Sequence, residues 1–218
     1  MTPKYRIAAI TDEFSPDLEK AVEPMSEIGM TGAELRVLWG KNIMDLSDEE
    51  IRRARQILAD KGMEVISIAS PILKCVLPGG PGVDTRFQQD IFNSKHTFED
   101  QPRLAARAFD IAEMLGCKII RVFSYWRTVE PKKCLPAVVE ALDALAKKAA
   151  KRKLIIGLEN EHACNIATAA EAPRALGKVK RPSLKLVCGI RPMRSAPARI
   201  RSQRAMPKLP KNRIVTCT

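Results

Sequence analysis

One unit recurs along most of this chain: an amphipathic helix, a glycine at its end, then a short β-branched strand. VEPMSEIG precedes MTGAELRVLW, RQILADKG precedes MEVISIAS, and AFDIAEMLG precedes CKIIRVFSYW. Strands separated by crossovers of helical length pair in parallel, with right-handed connections. The pattern therefore predicts an α/β fold around a parallel sheet.

Six such strands can be read: Tyr5 to Thr11, GAELRVLW, MEVISIAS, CKIIRVFSYW, LIIGLENE and SLKLV. Between the first two, Ser15 is placed to cap a helix with Pro16 at its first position. SDEE, beginning at Ser47, has the form of a capping box, and that helix should run to Lys61. A polar, Gly/Pro-rich loop from Pro78 to about Thr85 leads through FQQDIFNSKHTFEDQ into a helix ending near Leu115. Further helices are expected from Leu135 to Lys151 and from Ile166 to Leu176.

Six β/α units fit either an open doubly wound sheet or an incomplete barrel. The segment after the first strand, ITDEFSPD, has no glycine, where a dinucleotide fold would place its phosphate loop. Polar side chains instead follow nearly every strand: Asp12, Arg36, Lys74, Tyr125, Arg127 and Glu159. Barrel enzymes keep their chemistry at those ends. The expected fold is a (β/α)8 TIM barrel, incomplete, occupying residues 1–187, with an irregular basic tail over 188–218.

That tail carries much of the charge. Of a net +12, eight Lys/Arg and no acid lie from Gly189 onward, so the excess says little about the ordered part. Six cysteines at wide spacings, without a CxxC pair or a Cys/His cluster, point away from a disulfide framework or structural zinc. No apolar run approaches a signal peptide or membrane span, so a cytoplasmic protein is expected.

The fifth strand ends in LENEH. Glu159 and Glu161 are two residues apart and would share one face of an extended segment, with Asn160 opposite. A carboxylate there can hold a hard divalent cation or act as a base, and it can equally be a solvated strand end. In GAELRVLWGKN, Glu34 and Arg36 share a face and Trp39 offers a flat wall, although a local ion pair accounts for the charges as well. Lys74 in SPILKC can hold an anionic or hydroxylated ligand or simply be solvated. Arg121 and the Tyr125–Trp126–Arg127 run fit a pocket rim or core filling. His96 and His162 are the only histidines.

ELRVLWGKN, SPILKC, FEDQPRLAARAFDIAEMLGCKIIRVFSYWR and GLENEHACNIATAAEA together resemble the sugar phosphate isomerase/epimerase family, within the xylose-isomerase-like barrel superfamily. The resemblance runs in order from Tyr5 to Val187. It implies a divalent metal (Mn, Mg, Co or Zn) and isomerisation or epimerisation next to a carbonyl of a small sugar, sugar phosphate or polyol. Glu159 matches the metal ligand and catalytic carboxylate of the fifth strand. Glu34, Arg36, Lys74, His96, Arg127, Glu161 and His162 would line the substrate pocket.

The family supplies further ligands from later strands: an Asp in a WDPxN-type stretch, a His in an HxHxKD-type stretch and a late Glu. None is recognisable here. After LKLV the chain reads CGIRPMR. The codons TGG GAT CCG GCC AAT GCG encode WDPANA; read one base later they give GIRPMR, which is Gly189 to Arg194. A frameshift near Cys188 is therefore expected, with a second near Pro207 restoring family-like sequence in KLPKNRIV. Without the later repeats, strands one and six would be left as open edges, favouring self-association.

The leading function is a metal-dependent sugar isomerase or epimerase, impaired in this chain. An abasic-site endonuclease of the same superfamily would want more metal-binding His and Glu residues than two histidines allow. A non-catalytic fragment whose basic tail binds acidic partners is the third reading.

Overall fold

A computed structural model describes residues 7–87, 96–188 and 214–217. Tyr5 and Arg6 of the first expected strand, the segment beyond Phe87 up to Lys95, and the tail from Gly189 to Arg213 lie outside the described residues. The chain divides into two compact units, Met1–Ser70 with Pro102–Arg121, and Pro71–Gln101 with Val122–Thr218.

In the first unit, β1 (Ala8–Ile10) leads through a short 3-10 turn to α1 (Leu18–Glu27). The helix starts two residues later than Ser15 and Pro16 suggested. Asp17 is its N-cap, accepting from Lys20 N at 3.1 Å, while the Ser15 hydroxyl accepts the Asp17 N–H at 3.2 Å. A carboxylate at the cap gains from the helix dipole as well as the hydrogen bond. Leu18, Ala21, Val22 and Met25 form its buried face.

The second strand is shorter than GAELRVLW implied. β2 (Gly32–Leu35) stops, and β3 (Val37–Leu38) pairs antiparallel with β4 (Lys41–Asn42). The tip is Trp39–Gly40, with φ of 52° and 77°. Two consecutive positive φ values match the twist of a two-residue hairpin. Beyond it, α2 (Asp48–Asp60) carries the expected capping box: Ser47 Oγ accepts from Glu50 N at 3.2 Å and Ser47 N donates to Glu50 Oε2 at 2.8 Å.

β5 (Glu64–Ile68), α3 (Gln101–Leu115) and β6 (Ile119–Val122) follow. β1 pairs with β2, β2 with β5, and β5 with β6, all parallel. Leu35, Ile68 and Ile120 are fully buried, as are Ile51, Ala54, Ala108 and Ile111 on the helices.

The second unit holds α4 (Leu135–Lys151), β7 (Ile155–Glu159), α5 (Ala172–Leu176), β8 (Leu184–Cys188) and β9 (Ile214–Cys217). α4 has the expected bounds. α5 is only the last part of the helix expected from Ile166, because Asn165 and Ile166 are drawn into other hydrogen bonds and Glu171 accepts Ala167 N and Thr168 N at 2.9 and 3.0 Å. β7 pairs parallel with β8, placing Glu159 beside Val187, and β8 pairs parallel with β9.

β9 corrects two expectations. Part of the segment read as irregular from 188 onward is a strand, and the sixth strand, β8, is therefore paired on both sides rather than left as an edge. The strand begins at Ile214, within KLPKNRIV, the stretch read as returning to family-like sequence. Among the described residues no helix is long and apolar enough to cross a membrane.

Candidate functional site

Polar side chains collect after the strands of both units. In the first, Arg36 directs Nε and Nη2 at Asp12 Oδ2, at 2.9 and 2.8 Å, and Asp12 Oδ1 accepts from Val37 N at 3.2 Å. The Arg36 and Asp12 side chains are 12% and 8% exposed. Glu34 is buried in β2. Trp39, strained at positive φ, is fixed by its N–H to Pro16 O at 2.6 Å and its indole N–H to Glu19 at 2.8 Å. The Arg53 guanidinium lies 4.7 Å from its ring centroid and also reaches Glu19. Arg121 is buried and donates to Ala69 O at 3.3 Å.

In the second unit the polar groups surround aromatic rings. Leu73 and Tyr125 both adopt φ of 60°, a left-handed conformation that is costly for side-chain-bearing residues. They are joined directly, Tyr125 N donating to Leu73 O at 2.7 Å. Two amide side chains secure this pair. Gln101 Oε1 accepts Leu73 N at 2.7 Å, and its Nε2 donates to Thr97 O at 2.7 Å. Asn165 is 4% exposed; its Oδ1 accepts from Thr128 N at 3.1 Å, while its Nδ2 donates to the Ser124 and Trp126 carbonyls, each at 3.0 Å. Ile166 N adds a bond to Ser124 Oγ at 2.8 Å.

This frame sets the neighbouring side chains. Lys74, next to Leu73, holds Nζ 4.7 Å from the Phe123 ring centroid and 5.5 Å from that of Trp126. Phe123, Trp126, Ala163 and Cys164 form a buried apolar cluster against which Val83 and Phe87 pack. Arg127 stacks over Phe87 at 5.2 Å, and Phe87 lies 6.3 Å from the His162 ring. Burial lifts the Tyr125 hydroxyl to about 12, so it stays a neutral donor at physiological pH.

Glu159 closes β7, half-buried. The strand ends there, so alternation does not carry Glu161 onto its face as LENEH suggested. Glu161 opens a tight turn instead: its N–H donates to Ile166 O at 3.1 Å and its carbonyl accepts from Cys164 N at 2.8 Å. Its carboxylate meets His162 Nδ1 at 2.6 Å, with the imidazole about half exposed. Burial raises the Cys164 thiol, and Lys74, Glu161 and Glu159 all act on it electrostatically, which brings these three charges to one neighbourhood. His96 is half-buried ahead of α3 and shares none of these contacts among the described residues.

Lys74, Arg127, Glu159, Glu161 and His162 are thus gathered in one unit around one aromatic cluster. Glu34 and Arg36 belong to the other unit, where Arg36 already has a carboxylate partner. The amides Gln101 and Asn165, and Phe87, were not singled out from sequence. Asn165 had a signal: it is the one strongly polar residue in ACNIA, a run otherwise too apolar to sit in solvent.

A divalent ion needs several oxygen or nitrogen ligands at once. Among the described residues no group of three or more His, Cys, Asp or Glu side chains is arranged to hold one. Among the described residues, Glu159 with the Glu161–His162 pair does not make a metal centre. A cavity of about 340 Å³ lies elsewhere in this unit, lined by Lys132, Leu135, Ile166, Glu171 and Arg174 with Asn165 at its wall. The amide there is fully occupied by the Ser124–Thr128 segment, and Glu171 by backbone N–H groups.

A family model described as xylose isomerase-like TIM barrel matches residues 22–189. No curated protein matches. Among solved structures, a xylose isomerase-like TIM barrel/4-hydroxyphenylpyruvate dioxygenase fusion protein is 17% identical, with a TM-score of 0.66 over 99% of this chain and 31% of its own. D-psicose 3-epimerase with D-tagatose from Clostridium cellulolyticum H10 is 16% identical, with a TM-score of 0.63 over 84% of this chain and 63% of its own. A xylose isomerase-like TIM barrel protein from Mycobacterium smegmatis in complex with magnesium is 19% identical, with a TM-score of 0.51 over 77% of this chain and 54% of its own. The chain spans less than two thirds of each of these structures.

Proposed function

We propose that this chain, which belongs to the xylose isomerase-like TIM barrel family, is built to bind a small sugar or polyol and to isomerise or epimerise it next to a carbonyl. The observation that carries the reading is the cluster in the second unit, where carboxylates and cations border aromatic ring faces. Sugars are amphipathic: their C–H faces pack on rings while their hydroxyls take hydrogen bonds from charged groups. The epimerase neighbour with its bound hexose supports the same class of ligand.

Moving a proton to or from a carbon beside a carbonyl needs a base and a group that stabilises the developing negative oxygen. Glu159, half-buried at the end of β7, is assigned the base. Lys74, fixed against Phe123 and Trp126, supplies positive charge for the oxygen. Glu161 orients His162 through Nδ1, leaving Nε2 to exchange a proton with the substrate or with water. Members of the family are expected to use a divalent ion, but the described residues do not complete a site for one. Turnover by this chain is accordingly expected to be slow.

The sensitive test is solvent exchange. The protein is incubated with D-tagatose, D-psicose or D-fructose in deuterium oxide, and label at the carbon next to the carbonyl is followed by NMR. Incorporation that disappears in Glu159→Gln is the expected result. A folded protein giving no label with any ketohexose, while cleaving an abasic-site duplex, would replace this reading with the nucleic-acid one.

A further inference from the structure

Arg127 stands out among the cations of the second unit. Its backbone is clamped on both sides, N donating to Ala163 O at 2.7 Å and O accepting from Asp84 N at 2.8 Å. Its guanidinium is half-buried and lies over Phe87. Of its five N–H donors, the one hydrogen bond among the described residues runs from Nη1 to Cys164 O at 3.4 Å, which is long.

Nearby carboxylates are already engaged. Asp84 is held by Arg86 through Nε and Nη2 at 2.8 and 2.6 Å, and Glu161 by His162 at 2.6 Å. Among the described residues Arg127 forms no ion pair. A stacked guanidinium with a fixed backbone and unused donors is prepared for a planar oxyanion, which it can grip through two parallel hydrogen bonds. It offers a single positive charge, which balances a carboxylate and falls short of a phosphate dianion.

We infer that Arg127 forms a carboxylate subsite, so that the polyol taken by this cluster is a sugar acid. The inference rests on reading the cluster as a carbohydrate site. The carbon chain would lie beside the partly buried Phe87, with its carboxylate against Arg127.

Matched ligands test this. D-gluconate and D-glucitol have the same six-carbon polyol chain and differ in a carboxylate at one end. Binding of each to the full chain is measured by isothermal titration calorimetry, with acetate and D-glucitol 6-phosphate as further probes. Gluconate should bind at least about tenfold more tightly than glucitol. Arg127→Met should remove that preference, so that the variant binds gluconate no more tightly than it binds glucitol, while Arg127→Lys, which keeps the charge without the planar fork, should retain part of it. Unchanged circular dichroism and melting temperature establish that both variants fold.

Equal binding of gluconate and glucitol would overturn the subsite and leave the carbohydrate reading standing. So would a preference that survives in Arg127→Met. Tighter binding of the phosphate ester than of gluconate would overturn the choice of carboxylate, and binding of none of these probes would overturn the subsite. If acetate binds as well as gluconate and Arg127→Met abolishes both, the subsite stands and the carbohydrate reading fails.

Discussion

In the first unit Arg36 turns its guanidinium into the carboxylate of Asp12, whereas in the second Arg127 lays its guanidinium over the Phe87 ring and leaves most of its donors unused. Trp39 and Tyr125 differ in the same way. Both are aromatic residues at positive φ after a strand. Trp39 has its indole N–H satisfied by Glu19 and its face covered by Arg53; Tyr125 belongs to a backbone knot that presents Lys74, Trp126 and Arg127 around one apolar cluster. A strand-end charge that finds a local partner contributes to folding. One that the backbone fixes without a matching charge remains available to a ligand.

Exchanging the two arginines for methionine probes that difference most strongly. Arg36→Met leaves the buried Asp12 carboxylate without its counter-charge and should cost about 3 kcal/mol in urea unfolding. A loss within experimental error would mean that the pair is not structural. Asn165→Ala comes next. It strips partners from Thr128 N and from two carbonyls, at about 2 kcal/mol, moderated because the adjoining cavity lets water reach them. Trp126 fluorescence in a Trp39→Phe background should shift with it, and an unmoved spectrum would show that the amide does not set the loop.

Arg127→Met should cost about 1 kcal/mol or less, since only ring stacking and one long hydrogen bond are lost. A cost equal to that of Arg36→Met would erase the contrast between the units. Millimolar Mn²⁺ or Mg²⁺ should leave the melting temperature unchanged, because an ion stabilises a fold only when its concentration exceeds the dissociation constant. A rise of several degrees would show that residues outside the described ones complete a site with Glu159.

The smallest effect concerns acid. Hydrogen bonding to Arg181 holds the Asp143 carboxyl below its ordinary range in the second unit, and Arg107 does the same for Asp48 in the first. A depressed folded-state value means the stabilisation is present above the unfolded value of about 3.9 and disappears as pH falls through the lowered one. Arg181→Gln and Arg107→Gln should each flatten the acid limb of the stability profile slightly and equally. An unequal response would mean that one of these surface pairs is more than a solvated contact.

Much of the scaffold could be read in advance because helices and strands are written in local periods. α4 matches its expected bounds, and the Ser47 capping box matches atom by atom, since both depend on residues within a few positions of one another. Errors fell where a local rule met a competing partner. GAELRVLW looks like one strand, but positive φ at Trp39 and Gly40 folds it into a hairpin. LENEH looks extended through Glu161, but hydrogen bonds to Ile166 and Cys164 stop the strand at Glu159. Gln101 and Asn165 were missed because their partners lie 28 and about 40 residues away.

The sequence by itself determined a parallel β/α fold of the xylose isomerase-like type and the carboxylate that ends β7. It also located the change of character after Val187. Only the tertiary structure decided which strand-end charges are neutralised by neighbours and which are held against rings. Alternation and spacing report the face a residue occupies, whereas counter-charges and ring contacts come from segments distant in the chain. Asp12 reaches Arg36 across 24 residues and Phe87 meets Arg127 from ahead of α3 and β6, so the difference between an arginine paired with a carboxylate and one held against a ring is not written next to either.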